Sequence, residues 1–162
     1  MERKMDFTLD ELNNNFSYNK DNGFLIWKIG KRAGKRAGTL DFEGYRVTNL
    51  NYRKMREHRA IFLIEKGFLP PINSEIDHIN GKIDDNRIEN LRIANSSDNK
   101  CNQRQRPNKA GYKGVTLRKG NFVSYIKKNG KKHYLGSYKT ALEAHLVYCA
   151  AAKKIHGEFA NF

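Results

Sequence analysis

Thiols are nearly missing from this 162-residue chain: Cys101 and Cys149 are the only cysteines, and they form no CxxC pair. That scarcity excludes a disulfide framework and a four-cysteine zinc site, and it fits a reducing cytoplasm. Both thiols are expected to be buried or incidental. Long apolar runs are missing as well, with nothing approaching the roughly 20 residues that span a bilayer. The N-terminal MERKMDFTLDEL has positive residues but no apolar centre, so it does not read as a secretory signal. Acid is in short supply, with 17 Asp and Glu against 31 Lys and Arg.

What is present follows from that imbalance. The net charge is +14 and the pI is near 9.8, which points to a polyanionic partner, most commonly nucleic acid. A membrane surface ranks lower, because no strongly amphipathic basic helix with an aromatic face occurs. The charge is uneven: from Pro107 onward eleven Lys/Arg face two acids, a net +9, while residues 1–106 carry 20 Lys/Arg and 15 acids, a net +5. Hydrophobic residues make up 38 % of the chain, enough to build a core. No RNP-type or KH-type RNA-binding signature is found.

The chain order predicts an α+β protein in two parts. Thr8 followed by Glu11 reads as a capping box opening a short helix within residues 6–18, and YNKDNG then makes a turn. GFLIWKIG reads as a strand. KRAGKRAG is a basic loop, equally readable as a phosphate contact through Lys31, Arg32, Lys35 and Arg36 or as a solvated loop. TLDFEGYRVTNLNYRKM alternates as a hairpin or meander. REHRAIFLIEKG is helical, with Ala60, Leu63 and Ile64 on one face and Gly67 as its stop. After RQRPNKAG, whose composition suits a linker, three short runs (YKGVTLRK, NFVSYIKK, KKHYLGSY) predict an antiparallel meander. A helix capped by Thr140 with Glu143 at its third position follows. Leu142, Leu146 and Cys149 are expected to line its buried face. Phe122 is expected in the core beside the Leu142/Leu146 stripe.

Between these parts, EIDHINGKIDDNRIENLRIANSSDNKCNQ (residues 75–103) concentrates acid, imidazole and amide side chains between short apolar runs. It reads as strand, polar loop with an Asn-Gly reversal, strand, then a helix capped by Ser96 or Ser97. A neutral imidazole such as His78 suits general-base work near neutral pH, and Asp77 and Asn99 offer hard oxygen ligands for a divalent cation. Successive residues of a regular strand point to opposite faces. A twist, bulge or strand end is therefore required for Asp77 and His78 to serve one site. Asn90 could hold either the loop backbone or the imidazole ring.

This segment, with the preceding EHRAIFLIEKGFLPP, resembles the HNH endonuclease family, in particular its phage and intron-encoded homing members, over roughly residues 20–103. The resemblance implies a ββα-metal core that binds one divalent cation and hydrolyses DNA phosphodiester bonds. His78 would be the general base, Asp77 and Asn99 the metal ligands, and Asn90 the residue orienting the loop. Asn99 stands where the family often has His, which favours Mg²⁺ or Mn²⁺ over Zn²⁺. Asn95, Asp98 and Asn102 are alternative ligands, and His58 matches a family histidine read here as packing or a backbone phosphate contact rather than catalytic. Residues 112–162, with YKGV, YIKK, YLGSY and the closing HGEFANF, resemble the AP2/ERF DNA-binding domain. That likeness implies a three-stranded sheet laid in the major groove, with Lys113, Thr116, Arg118, Tyr125, Lys127, Lys132 and Tyr134 at its contact positions.

The expected organisation is therefore a nuclease domain over 1–106 and a DNA-binding domain over 107–162. The expected partner is double-stranded DNA, with no membrane and no protein partner implied. The expected setting is the cytoplasm of a bacterial host, as a phage or mobile-element protein. The alternative is a DNA-binding regulator whose HNH-like region is inactive.

Overall fold

The computed structural model describes residues 7–102, 108–128 and 130–162. It divides into two compact units, Met1–Ile93 and Ala94–Phe162. The domain boundary expected at 106/107 falls outside the described residues. Both units mix small antiparallel sheets with helices, and the described residues contain four α-helices.

In the first unit, α1 (Leu9–Asn15) opens on the expected capping box: the Thr8 hydroxyl accepts from Glu11 N–H, and Glu11 accepts from Thr8 N–H. Strands β1 (Phe16–Asn19) and β2 (Phe24–Trp27) pair as a hairpin with Phe16 opposite Trp27. Its turn is built by Asn19, whose side-chain oxygen accepts from the N–H groups of Asp21 and Asn22. Gly23 closes it at φ +74°, where a Cβ would lie 2.5 Å from the Arg87 nitrogen, so only glycine fits. Strands β3 (Thr39–Leu40), β4 (Arg46–Leu50) and β5 (Arg53–Arg56) form the expected meander. Its β4–β5 turn places Asn51 and Tyr52 at positive φ. Asn51 suits that conformation, whereas Tyr52 carries the strain of a two-residue turn matched to the sheet twist.

Helix α2 (Glu57–Lys66) ends at Gly67 in the left-handed conformation, as expected. Its Ala60, Ile61, Phe62 and Leu63 join Leu12, Phe16, Leu25, Met55, Ile76 and Leu91 in one core. Strand β6 (Ser74–His78) pairs with β7 (Leu91–Asn95), and α3 (Ser96–Asn102) follows directly. The strand–loop–strand–helix order of residues 75–102 is thus the one expected. One detail differs: the cap of α3 is Asn95, whose side-chain oxygen accepts from Ser97 and Asp98 N–H, rather than Ser96 or Ser97. Asn95 lies one residue before the helix, where a short amide side chain reaches the first unpaired N–H groups.

In the second unit, β8 (Val115–Arg118), β9 (Asn121–Lys128) and β10 (Lys131–Tyr138) make the expected antiparallel meander in the order β10-β9-β8. Helix α4 (Ala141–His156) carries the expected Thr140–Glu143 capping box. The expected buried stripe of α4 is corrected. Leu142 and Leu146 are 53 % and 59 % exposed, and the buried residues are Ala144, Tyr148 and Ala152. These lie four apart, one above another on a single face. Two alanines let the helix sit close to the sheet, and Gly114 shows how close: a Cβ there would meet the Tyr148 ring at 2.0 Å. Phe122 packs against Ala110, Val115 and Ala144, as expected of a core residue.

This arrangement predicts that Leu146→Ala changes stability by no more than about 0.5 kcal/mol, whereas Ile126→Ala, in the cluster with Tyr148 and Ala152, costs about 2–5 kcal/mol. Denaturant unfolding of the two variants checks the contrast.

Candidate active site and nucleic-acid interface

Strand β6 runs out of the core with Ile76, Asp77 and His78 all buried. His78 is its last residue, and the chain reverses there: Gly81 N–H donates to the His78 carbonyl at 2.9 Å. The two neighbouring side chains take different partners. The Oδ2 oxygen of Asp77 accepts from Arg92 Nε at 3.0 Å and Nη2 at 2.9 Å, and both residues are nearly enclosed. The His78 Nε2 lies 2.9 Å from the Asn86 side-chain oxygen.

The loop from residue 79 to 90 is stiffened by amides. The Asn90 side-chain oxygen accepts from Asn80 N–H at 3.0 Å, and its NH₂ donates to the Asp85 carbonyl at 2.7 Å and to the Asn80 side chain at 3.1 Å. The Asn80 NH₂ in turn donates to the Asp85 carboxylate at 2.7 Å, whose pKa Arg87 holds well below the usual range. The Tyr18 hydroxyl accepts from Ile88 N–H and ties the loop to the first hairpin. Of the two partners open to Asn90, the structure chooses the loop backbone, and Asn86 holds the ring.

Behind His78 lies a second histidine. The His58 and His78 rings meet edge to face at 5.1 Å, and Tyr45 flanks both. Of the two roles read for His58, its burial and ring contacts fit packing. Burial pulls its pKa down to about 3, assisted by the charges of His78, Arg56 and Arg59. Burial also lowers the pKa of His78, against the raising effect of the Asn86 hydrogen bond.

The His58 shift has a consequence for stability. The folded-state pKa lies below the unfolded value of about 6.5, so the unfolded chain binds the proton more readily. Stability is fully present above pH 6.5 and falls as pH drops towards 3, by up to about 1.4 kcal/mol per pH unit from this group. Urea unfolding from pH 7 to pH 4 is therefore expected to show a shallower pH slope in His58→Leu than in the wild type.

The residue that anchors this region was not singled out from sequence. Glu57, at the first position of α2, is 1 % exposed. It accepts from Leu25 N–H at 2.9 Å, from the Arg36 guanidinium at 2.8 Å and from the Asn86 NH₂ at 2.9 Å. Asn86 is equally buried. A Glu immediately before the His58 position was the available signal, because an acid at a helix start is also a common surface feature. Arg36 is committed to Glu57 and Asp84 and lies over the Phe24 ring. Of the four KRAGKRAG bases, it is therefore structural, and neither of the two readings of that loop described it.

Residues 46–101 match the model of the HNH endonuclease family. The central segment is thus similar to that family. An HNH endonuclease of Acanthamoeba polyphaga mimivirus, itself named as uncharacterised, is 32 % identical over 135 residues, which cover 83 % of this chain and 64 % of that relative. The chain thus spans just under two thirds of the relative's length. No solved structure gives a significant match. The relative is viral, and the expectation of a bacterial host gains no support from it.

The family that residues 46–101 match is one of endonucleases. Among the described residues no group of three His, Cys, Asp or Glu could hold a metal ion, and no helix is long and apolar enough to cross a membrane. The donor chemistry of Asp77 nevertheless suits a hard divalent cation, which accepts a carboxylate and keeps several water ligands. Arg92 already occupies one of its oxygens and would have to share or yield it. Asp77 belongs to the first unit and Asn99, with Asp98 and Asn102, to the second. The Asn102 carbonyl accepts from the Asn161 side chain.

In the second unit, the strand register gathers the expected contact residues on one sheet face. Thr116 pairs with Val123, Tyr125 with Tyr134, and Lys127 with Lys132, and Arg118 falls on the same side by alternation. The opposite face, with Phe122 and Ile126, packs on α4. Lys132 Nζ sits 3.9 Å from the centre of the Tyr125 ring, which meets Tyr134 at 5.7 Å. Thr116, Arg118, Lys127, Lys132 and Tyr134 are exposed. Lys113 differs: it is half-buried, donates to the Cys101 carbonyl at 3.0 Å, and burial lowers its pKa. The two cysteines are free and partly buried. Cys101 lies 3.4 Å from His156 Nδ1, and Cys149 lies 3.4 Å from His145 Nε2.

Proposed function

We propose that this protein is a metal-dependent DNA endonuclease of the homing type, with a ββα-metal core over residues 75–103. The observation that carries the reading is His78. A nearly enclosed imidazole ends β6 inside the HNH-matching segment, and the Asn86 amide bonds its ring. His78 acts as general base toward a water that attacks the scissile phosphodiester. Asp77 and Asn99 are the residues that would hold one divalent cation, Mg²⁺ or Mn²⁺, which supplies stabilisation of the charge developing on the leaving oxygen. Asn90 keeps the loop rigid, so that His78 does not drift from the reacting phosphate.

The second unit, read as an AP2/ERF-like domain, supplies DNA affinity and part of the target choice. Its exposed face combines cations for phosphate contact with Tyr125 and Tyr134 as apolar surface. Thr116, Arg118, Lys127 and Lys132 belong to that contact, with Lys113 at its edge. Such a protein works where DNA is, free of any membrane.

The test is incubation of the full chain with supercoiled plasmid carrying candidate target DNA, with Mg²⁺, with Mn²⁺ and with a chelator. Nicked circles are expected first, because one active site per chain cuts one strand at a time. Cleavage that persists in chelator removes the metal. Tight binding without cleavage of any target-bearing DNA favours a DNA-binding regulator instead.

A further inference from the structure

The hydrogen-bond chain behind His78 specifies more than its position. Glu57 at its start is an acceptor on both oxygens: Oε1 takes the Leu25 N–H at 2.9 Å and Arg36 Nε at 3.4 Å, and Oε2 takes Arg36 Nη2 at 2.8 Å. A carboxylate held this way has no proton to give, so the group of Asn86 that faces Oε2 at 2.9 Å must be its NH₂. That fixes which end of a nearly symmetric amide points where, an assignment otherwise ambiguous. The Asn86 oxygen is thereby turned to His78 Nε2 at 2.9 Å. An amide oxygen only accepts, so Nε2 carries the ring proton. In the neutral ring the basic lone pair is then on Nδ1.

We propose that Glu57 and Asn86 are positioning residues that lock His78 in its Nε2–H tautomer and assign proton abstraction to Nδ1. The proposal rests on the reading of His78 as the general base. As the water oxygen bonds to phosphorus, its proton passes to Nδ1, and the P–O bond to the leaving group breaks with its electron pair going to the leaving oxygen. Solvent protonates that oxygen, and the imidazolium later returns its proton to solvent. Throughout, Nε2–H stays bonded to Asn86, so the ring gains charge without turning. Burial makes the lock firm, because the reversed amide would set its oxygen against the Glu57 carboxylate, out of reach of water.

Glutamine at 57 separates selection from shape. It keeps the volume but can present either an oxygen or an NH₂ to Asn86, so Asn86 can stand either way round. The readout is the long-range ¹H–¹⁵N spectrum of full-length protein labelled at its five histidines, with His78 assigned by the signals lost in His78→Gln. In the wild type, Nδ1 is expected at the unprotonated position and Nε2 at the protonated one. In Glu57→Gln and in Asn86→Ala, both nitrogens are expected to move to averaged positions. Cleavage by these variants should lose about 10–100-fold in kcat with KM for DNA unchanged. A protonated Nδ1 in the wild type overturns the proposal, as does a wild-type tautomer in a folded Glu57→Gln. The wild-type spectrum decides even if the variants fail to fold. Because it needs no cleavage, an inactive protein with the predicted tautomer would sink the nuclease reading and leave the tautomer assignment standing.

Discussion

Replacing His78 with alanine is expected to lower kcat for DNA cleavage by about 10²–10⁴-fold, the range that general acid–base catalysis contributes, while leaving DNA affinity unchanged. The two quantities separate because they arise from different parts of the chain under the proposed function. Affinity comes from neutralised phosphates, and the last 56 residues carry eleven Lys/Arg against two acids. The imidazole is enclosed at the end of β6, so it adds nothing to that electrostatic term. Single-turnover cleavage of a labelled duplex, run beside a binding titration at one salt concentration, measures both. A variant that cuts within about threefold of wild type would remove His78 from the chemistry, since the loss of a general base costs at least about 10²-fold.

Glu57→Ala is expected to cost about 3–5 kcal/mol of folding stability, the penalty for stranding one partner of a buried ion pair. The substitution removes the acceptor for Arg36, for the Leu25 N–H and for the Asn86 amide at once. Arg36 keeps Asp84 at 2.8 Å, but the Leu25 N–H and the Asn86 NH₂ lose the buried carboxylate that accepts from both. Denaturant unfolding should show a lower midpoint at unchanged slope. A loss below about 1 kcal/mol would mean that water enters and satisfies the orphaned groups. Glu57→Gln should be far milder, because it keeps volume and one acceptor oxygen. Stability and tautomer control are therefore separable at one position.

The sequence was most informative where local rules operate over a few residues. Both capping boxes, Thr8–Glu11 and Thr140–Glu143, were readable because a cap involves only residues three apart. The same holds for the Gly67 stop and for the order β6, loop, β7, α3. Helix α4 was readable as a helix but not by its face. Leucines at 142 and 146 outweigh alanines at 144 and 152 on any hydrophobicity scale, yet the sheet selected the alanines. Close approach, enforced where Tyr148 lies against Gly114, left no room for larger side chains.

The candidate site divides along the same line. Asp77, His78 and Asn90 stand within 14 residues, and their side-chain chemistry marks them without any knowledge of the fold. Their partners could not be found that way. Arg92 is 15 residues from Asp77, Asn86 is 8 from His78, and Glu57 is 29 from Asn86. Each of these pairs lies within or across a loop, where no local period applies, so no pattern signals them. Chain chemistry together with the family resemblance therefore named the imidazole and the carboxylate. Only the packing of α2 against β2 and the loop after β6 decided what holds them, because a buried polar group must find its partner in space, wherever that partner lies in the chain.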